Sequence, residues 1–371
     1  MAGQKAKRIV IKLGTTLLTE DTGSLNRDYI RRLAGELVEL KEKGKELVLV
    51  SSGAIRAGEE KLKFIKRLKT VPEKQAAASI GQGLLMEVYT RFFATRGQTV
   101  GQVLLTREDV AERKRYLNAK NTFLTLFKYG AIPIVNENDT VAVEEIQFGD
   151  NDTLSALTAS LIEADLLIIL SDVEGLYTAD PQKKKDIKLI SEVKKITPDL
   201  EKLAGEASTS ASTGGMYTKL QAAKIATSSG ITMVIADGRK RRVVTSIVEG
   251  KKIGTLFLPR KKKLGSRKCW IAFSLPARGE LKVNEGARKM LENFGKSLLP
   301  IGITKIKGNF KRGEMVSILD EKNKEFARGL VNYSGEEVGK ILGKKTKEVF
   351  KILGYKYEDE VIHADNLAII E

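Results

Sequence analysis

The sequence predicts an α/β protein: a mostly parallel sheet covered by helices on both faces, followed by a small, mainly β C-terminal domain. Three observations carry this expectation. Short apolar runs alternate with longer stretches of helical spacing as far as Pro259. Beyond it the pattern breaks into short β-like runs punctuated by glycines such as Gly279, Gly286, Gly302, Gly308, Gly313, Gly329 and Gly335. The length of 371 residues also exceeds what one compact domain usually holds.

Taken in order, Arg8–Leu13 reads as a buried strand that stops at Gly14. Residues 26–43 place Ile30, Leu33, Leu37 and Leu40 at helical spacing, and Gly44 ends the helix. Leu47–Val50 is the second strand, leading into Ser51-Ser52-Gly53-Ala54. Thr99–Leu105, Ala131–Val135, Asp165–Leu170 and Ile231–Ala236 are further strands, with helices expected over Thr153–Ala164 and Met216–Ser228. In such sheets ligands bind at the carboxyl ends of the strands, so the loops after each strand are the candidate site. The expected boundaries are a catalytic domain over 1–260, a basic linker over 261–275 at the break marked by Arg260-Lys261-Lys262-Lys263 and Leu264-Gly265, and a second domain over 276–371.

Composition removes several function classes. One cysteine, Cys269, cannot form an internal disulfide, and one histidine, His363, excludes paired-histidine, Ser-His-Asp and His-rich zinc chemistry within one chain. His363 reads as a surface residue, and Cys269 and Trp270 as core or interface residues. No apolar run is long enough to span a bilayer, and the polar, basic start does not read as a secretory signal, so a cytoplasmic protein is expected. The net charge is +17, with 41 Lys/Arg against 32 Asp/Glu in residues 1–260 and 23 against 15 in 261–371. Residues 131–182 hold 11 acidic residues and no Lys or Arg. Basic excess of this kind favours anionic partners, and the acidic window favours a cation.

Five loops follow predicted strands. Lys12-Leu13-Gly14-Thr15-Thr16 puts a cation beside a glycine whose amide can approach a phosphate. Ser51-Ser52-Gly53-Ala54 offers hydroxyls and clustered amides at a helix start, either an anion cradle or a plain cap. Asn136-Glu137-Asn138-Asp139 and Gly149-Asp150-Asn151-Asp152 supply carboxylates and amides that fit three tasks: gripping an ammonium, organising nearby lysines, or helping to hold a divalent ion. Ser171-Asp172 ends another strand. Ser212-Thr213-Gly214-Gly215-Met216-Tyr217-Thr218-Lys219 can wrap phosphate oxygens while Lys219 reaches them as a point charge. None of these is a Walker A loop: the one Gly-Lys-Ser, Gly295-Lys296-Ser297, has Met290 where the leading glycine belongs. No strand is followed by a G-x-G-x-x-G fingerprint either.

The order of these segments resembles the glutamate 5-kinase family of the amino-acid kinase superfamily. The resemblance rests on VIKLGTT at 10–16, VSSGAI at 50–55, KQAAASIGQ at 74–82, GQVLLT at 101–106, NENDTVA at 136–142, FGDNDTLSAL at 148–157, GLYTADP at 175–181 and TGGMYTKLQAA at 213–223. VNEGARKML at 283–291, SLLPIGI at 297–303 and GNFKRGE at 308–314 resemble the PUA domain of bacterial members. Departures are small: Ser212 stands where glycine is common, Ser171 where threonine is frequent, and the loop from Lys61 to Lys69 is unusually basic.

The resemblance implies an amino-acid kinase fold with a PUA-like C-terminal domain, and transfer of the ATP γ-phosphoryl group to the γ-carboxylate of L-glutamate with Mg²⁺. It implies that Lys12 and Lys219 stabilise the transferring group, that Asp152 organises the lysines, and that Ser52, Asp139 and Asn151 bind glutamate. ATP would be held by Lys12, Ser171, Asp172, Thr213, Gly214, Gly215, Met216, Tyr217, Thr218 and Lys219. Proline feedback, a homodimer or homotetramer, and a separate downstream reductase are implied as well. Two rivals are a superfamily kinase with a different acid acceptor and an RNA-binding role through the basic C-terminal domain.

Overall fold

The structure is a computed structural model that describes residues 2–20, 22–63, 68–106, 109–110, 112–142, 151–179, 187–206, 215–260, 263–273 and 277–370. The chain divides into two compact units, Met1–Lys263 and Leu264–Glu371.

In the first unit the apolar runs form strands β1 (Arg8–Leu13), β2 (Glu46–Ser51), β3 (Val100–Leu105), β4 (Ile132–Glu137), β5 (Leu166–Ser171), β6 (Glu192–Val193), β7 (Thr232–Asp237) and β8 (Thr255–Phe257). They join in one sheet of order β3-β4-β2-β1-β5-β7-β8-β6. Pairing is parallel except between β7 and β8. The chain runs outward from β1 to β2 on one side and resumes with β5 on the other. The strand order therefore reverses between β1 and β5, where open α/β sheets leave a crevice for ligands.

Alternation along β1 decides what reaches that crevice. Ile9, Ile11 and Leu13 face a buried layer built with helices Arg27–Glu42, Val71–Ala94 and Val243–Val248. Lys12, on the opposite parity, faces the side covered by helices Asn151–Leu161 and Met216–Ser228. It is 5% exposed, a burial that Lys tolerates only with a counter-charge.

Helix Ala54–Lys61 follows β2 and packs backbone to backbone on Val71–Ala94. A Cβ on Gly81 would lie 1.8 Å from the Ala54 carbonyl oxygen, and one on Gly58 would lie 1.9 Å from that of Ala77. Val71–Ala94 starts with a capping box in which Thr70 and Glu73 satisfy each other's backbone amides.

The second unit holds a five-stranded sheet of order β10-β9-β11-β12-β13, from β9 (Gly279–Val283), β10 (Ile303–Lys307), β11 (Met315–Leu319), β12 (Glu325–Leu330) and β13 (Leu367–Ile369). Its core includes Leu281, Val316, Phe326, Tyr333 and Val361. Within the stretch read as a linker, Ser266–Phe273 is a helix with Cys269, Ile271 and Ala272 buried, and Arg328 Nη1 donates to the Ala272 carbonyl. His363 is half exposed, and its Nδ1 accepts from the Asp365 amide.

Candidate active site

The chemistry-bearing side chains gather at the carboxyl ends of β1, β2, β4 and β5. Gly14 donates its backbone N–H to the Leu170 carbonyl, which closes the turn after β1 against β5. Helix Asn151–Leu161 then delivers Asp152, with no solvent exposure, between two lysines. Lys12 Nζ lies 2.6 Å from Asp152 Oδ1 and Lys219 Nζ lies 3.2 Å from Oδ2. Thr218 Oγ1 also donates to Asp152 Oδ2 at 3.1 Å. One carboxylate thus holds two buried ammonium groups at fixed separation, an arrangement suited to receiving anionic phosphate oxygens.

Beside this bridge lies a second cluster made of amides and hydroxyls. Asn151 Nδ2 is within 2.8 Å of the Ser51 carbonyl, 2.9 Å of Ser52 Oγ and 2.8 Å of Asn136 Oδ1. Asn136 Nδ2 donates to Gln82 Oε1 at 2.8 Å, and Asn136 Oδ1 also accepts from the Glu137 amide. Tyr89 OH and Ser51 Oγ share a buried hydrogen bond that fixes the end of β2. Gly53 adopts φ +96, left-handed backbone that suits glycine, and turns the chain into helix Ala54–Lys61.

Two carboxylates close the end of β4. Burial first, and the neighbouring Asp139 second, push Glu137 up to about 7. Asp139 itself is pushed up to about 6 by burial. A cation placed here would draw both into their charged forms.

On the β5 and β7 side, Ser171 Oγ donates to Asp172 Oδ1 at 3.0 Å. Arg239 Nη2 donates to the Asp172 carbonyl at 2.8 Å, and its guanidinium also grips Asp237. Gly215 caps helix Met216–Ser228, and its carbonyl lies 2.7 Å from Thr218 Oγ1, a second acceptor within reach of that hydroxyl's single proton. Met216 and Tyr217 form the first turn of that helix, Tyr217 exposed.

The structure therefore brings Lys12, Asp152, Thr218 and Lys219 into one cluster and Ser52 with Asn151 into another. Asp139 stands two residues beyond the last residue of β4, and Ser171 and Asp172 stand at the end of β5. Thr213 and Gly214, with Ser212, Gly149 and Asp150, lie outside the described residues, as does 64–67 of the basic loop. Sequence reasoning missed Gln82, Tyr89 and Arg239 and did not single out Asn136. Gln82 is inside the KQAAASIGQ segment, but on a helix far along the chain nothing in spacing ties it to a strand-end loop.

The comparisons with known proteins are decisive on family. The sequence model of the amino acid kinase family matches residues 7–237, more than half of the chain. The chain belongs to the amino acid kinase family. A PUA domain model matches residues 279–353. Glutamate 5-kinases of Thermoanaerobacter sp. (strain X514) and Caldanaerobacter subterraneus subsp. tengcongensis are 54% and 55% identical over 364 residues, 98% of this chain and 98% of each relative. That of Moorella thermoacetica is 49% identical over 370 residues, 100% of this chain and 98% of the relative. Identity of this order over both units places the chain among the glutamate 5-kinases of that family. No helix among the described residues is long and apolar enough to cross a membrane.

Proposed function

We propose that the protein transfers the γ-phosphoryl group of ATP to the γ-carboxylate of L-glutamate, giving γ-glutamyl phosphate for proline biosynthesis. The observation that carries this reading is the Lys12–Asp152–Lys219 bridge, seated beside a cluster of neutral amides and hydroxyls at the switch point of the sheet. Full-length similarity to glutamate 5-kinases supports the choice of acceptor.

A glutamate side chain has a reference pKa near ~4.3, so the nucleophile is already an anion at neutral pH and needs no general base. The barrier lies in bringing that anion up to a polyanionic triphosphate, and the protein's task is positioning and charge neutralisation. Lys12 and Lys219 meet the transferring group, while Asp152 keeps them from following the nucleotide or the acceptor. Ser52 and Asn151 hold the acceptor, with Asp139 on its ammonium. Ser171, Asp172 and the segment Thr213, Gly214, Gly215, Met216, Tyr217, Thr218 hold ATP. Mg²⁺ enters with the triphosphate as part of the substrate and screens its charge. Proline shares the α-carboxylate and amino nitrogen of glutamate and competes for the same acceptor groups. A homo-oligomer in the cytoplasm, handing its unstable acyl phosphate to a separate reductase, completes this reading.

Hydroxylamine trapping tests it. With Mg-ATP and L-glutamate, L-aspartate or N-acetylglutamate in parallel, hydroxamate is expected from L-glutamate alone. Hydroxamate from another acid would overturn the acceptor assignment of Ser52, Asp139 and Asn151. No product from any acid, with protein that binds ATP, would overturn the reaction.

A further inference from the structure

The amide cluster contains two open valences whose sense can be worked out. The Glu137 backbone N–H only donates, so the Asn136 oxygen must face it. The Ser51 carbonyl only accepts, so Asn151 must turn its nitrogen there. With both ends fixed, Asn136 Nδ2 faces Gln82, and Gln82 must present its oxygen to it. What remains is Asn151 Oδ1, an acceptor, and Gln82 Nε2, a donor, both buried and without a hydrogen-bond partner among the described residues. Buried polar groups left unpaired are rare and costly, and a ligand that completes them gives a reason for their persistence.

An α-amino acid brings a carboxylate as well as an ammonium. Residues 131–182 contain no Lys or Arg, and Lys12 and Lys219, the lysines that reach the crevice among the described residues, are both engaged with Asp152. Among the described residues this leaves neutral donors to hold the α-carboxylate of the acceptor. Several other buried donors lack partners among the described residues, but Gln82 Nε2 is the one joined to Asn136 and Asn151 by hydrogen bonds.

We propose that Gln82 is an acceptor-binding residue, donating through Nε2 to the α-carboxylate of the bound amino acid while its Oε1 holds Asn136. This rests on the reading of the protein as a glutamate kinase and adds to it the group that recognises the acceptor's α-carboxylate.

The test pairs two variants with two acceptors, L-glutamate and its α-amide, which carries a neutral –CONH₂ in place of the α-carboxylate. Hydroxamate formation gives KM for each acceptor and for ATP. Gln82→Met is expected to raise the glutamate KM about tenfold with ATP KM and kcat little changed, and to leave the α-amide KM near its wild-type value. Gln82→Glu keeps an oxygen for Asn136 but repels the α-carboxylate, so it should turn against L-glutamate and favour the α-amide, whose nitrogen can donate to it. Equal losses with both acceptors in both variants would overturn the proposal and leave Gln82 acting only through Asn136. Wild-type protein that yields no hydroxamate from L-glutamate would instead overturn the functional reading.

Discussion

Asp152→Asn is the most informative single change, because it keeps the shape of the side chain and removes the charge shared by two lysines. At an effective dielectric near 20, unit charges 2.6 and 3.2 Å apart attract by roughly 6 and 5 kcal/mol before desolvation is counted. Desolvation offsets most of that, and removing one partner from a buried ion pair typically costs about 3–5 kcal/mol. For a domain of this size each kcal/mol shifts the melting temperature by about 2–4 °C, so the apo variant should melt about 6–20 °C lower. ATP brings negative charge to the same lysines, so the rise in melting temperature on adding Mg-ATP should be larger in Asp152→Asn than in the wild type. Turnover should still fall by about 10²–10³, because the ammonium groups are no longer held where charge develops. Differential scanning calorimetry with and without nucleotide, beside hydroxamate kinetics, reads all three quantities. A variant with near-normal turnover, or one whose ATP-induced shift is no larger than that of the wild type, would refute the argument that Asp152 presets the lysines for phosphate.

Other expectations concern separate parts of the site. Lys219→Ala should lower kcat by about 10²-fold or more with a smaller change in glutamate KM, since its contact tightens in the transition state; normal kcat at saturating substrates would remove it from that role. Gly81→Ala forces a Cβ against the Ala54 carbonyl oxygen 1.8 Å away and should cost about 1–3 kcal/mol, read as a lower urea midpoint, while also displacing Ser52 and raising glutamate KM. Asp139 and Glu137 are pushed up to about 6 and about 7, so both are partly protonated at a pH where ordinary carboxylates are charged. Ammonium binding favours their ionised forms, so kcat/KM for glutamate should rise with pH through about 6–7 and fall below it. For folding the sign is opposite: holding these protons favours the folded state most at low pH, and that contribution is lost as pH rises through the same values. In Asp139→Asn the pH dependence should shift lower, because Glu137 loses its like-charged neighbour; an unchanged profile would dissociate the pair from acceptor binding.

Much of this was legible because the relevant signals are local. The apolar run in Arg8–Leu13 and the glycine after it mark β1 and its loop, and the apolar spacing of residues 26–43 with Gly44 after it marks the helix that covers one face. The phosphoryl-side residues Lys12, Asp152 and Lys219 each adjoin a strand end or open a helix, which is where ligands meet an open sheet. That one carboxylate would hold both lysines was implied by resemblance, since 140 and 67 residues separate Lys12 and Lys219 from Asp152 along the chain. The acceptor side was harder to read. Gln82 and Tyr89 come from the middle of a helix, and only the close approach allowed by Gly58 and Gly81 brings that helix to the end of β2 and β4. Close backbone packing between helices leaves no period in the sequence to read.

The charge pattern of the chain now has a physical account in the first unit. A carboxylate nucleophile and a triphosphate repel each other, and cations spread over the whole crevice would bind both without choosing an orientation. Here, among the described residues, Lys12 and Lys219 are the positive charges that Asp152 pins, Arg239 is held by Asp237 at the ends of β5 and β7, and the acceptor side offers amides, hydroxyls and the two raised carboxylates Glu137 and Asp139. On the proposed function an amino acid would enter with its ammonium toward the acids, leaving its side-chain carboxylate to meet the lysines. The absence of Lys and Arg from residues 131–182 enforces that polarity, because a cation introduced beside Asn151 would capture either carboxylate of the acceptor. Ser52→Lys should accordingly raise glutamate KM and slow turnover together even though it adds attraction for an anionic substrate. A Ser52→Lys protein that binds glutamate more tightly and turns over normally would show that charge placement does not set the acceptor's orientation.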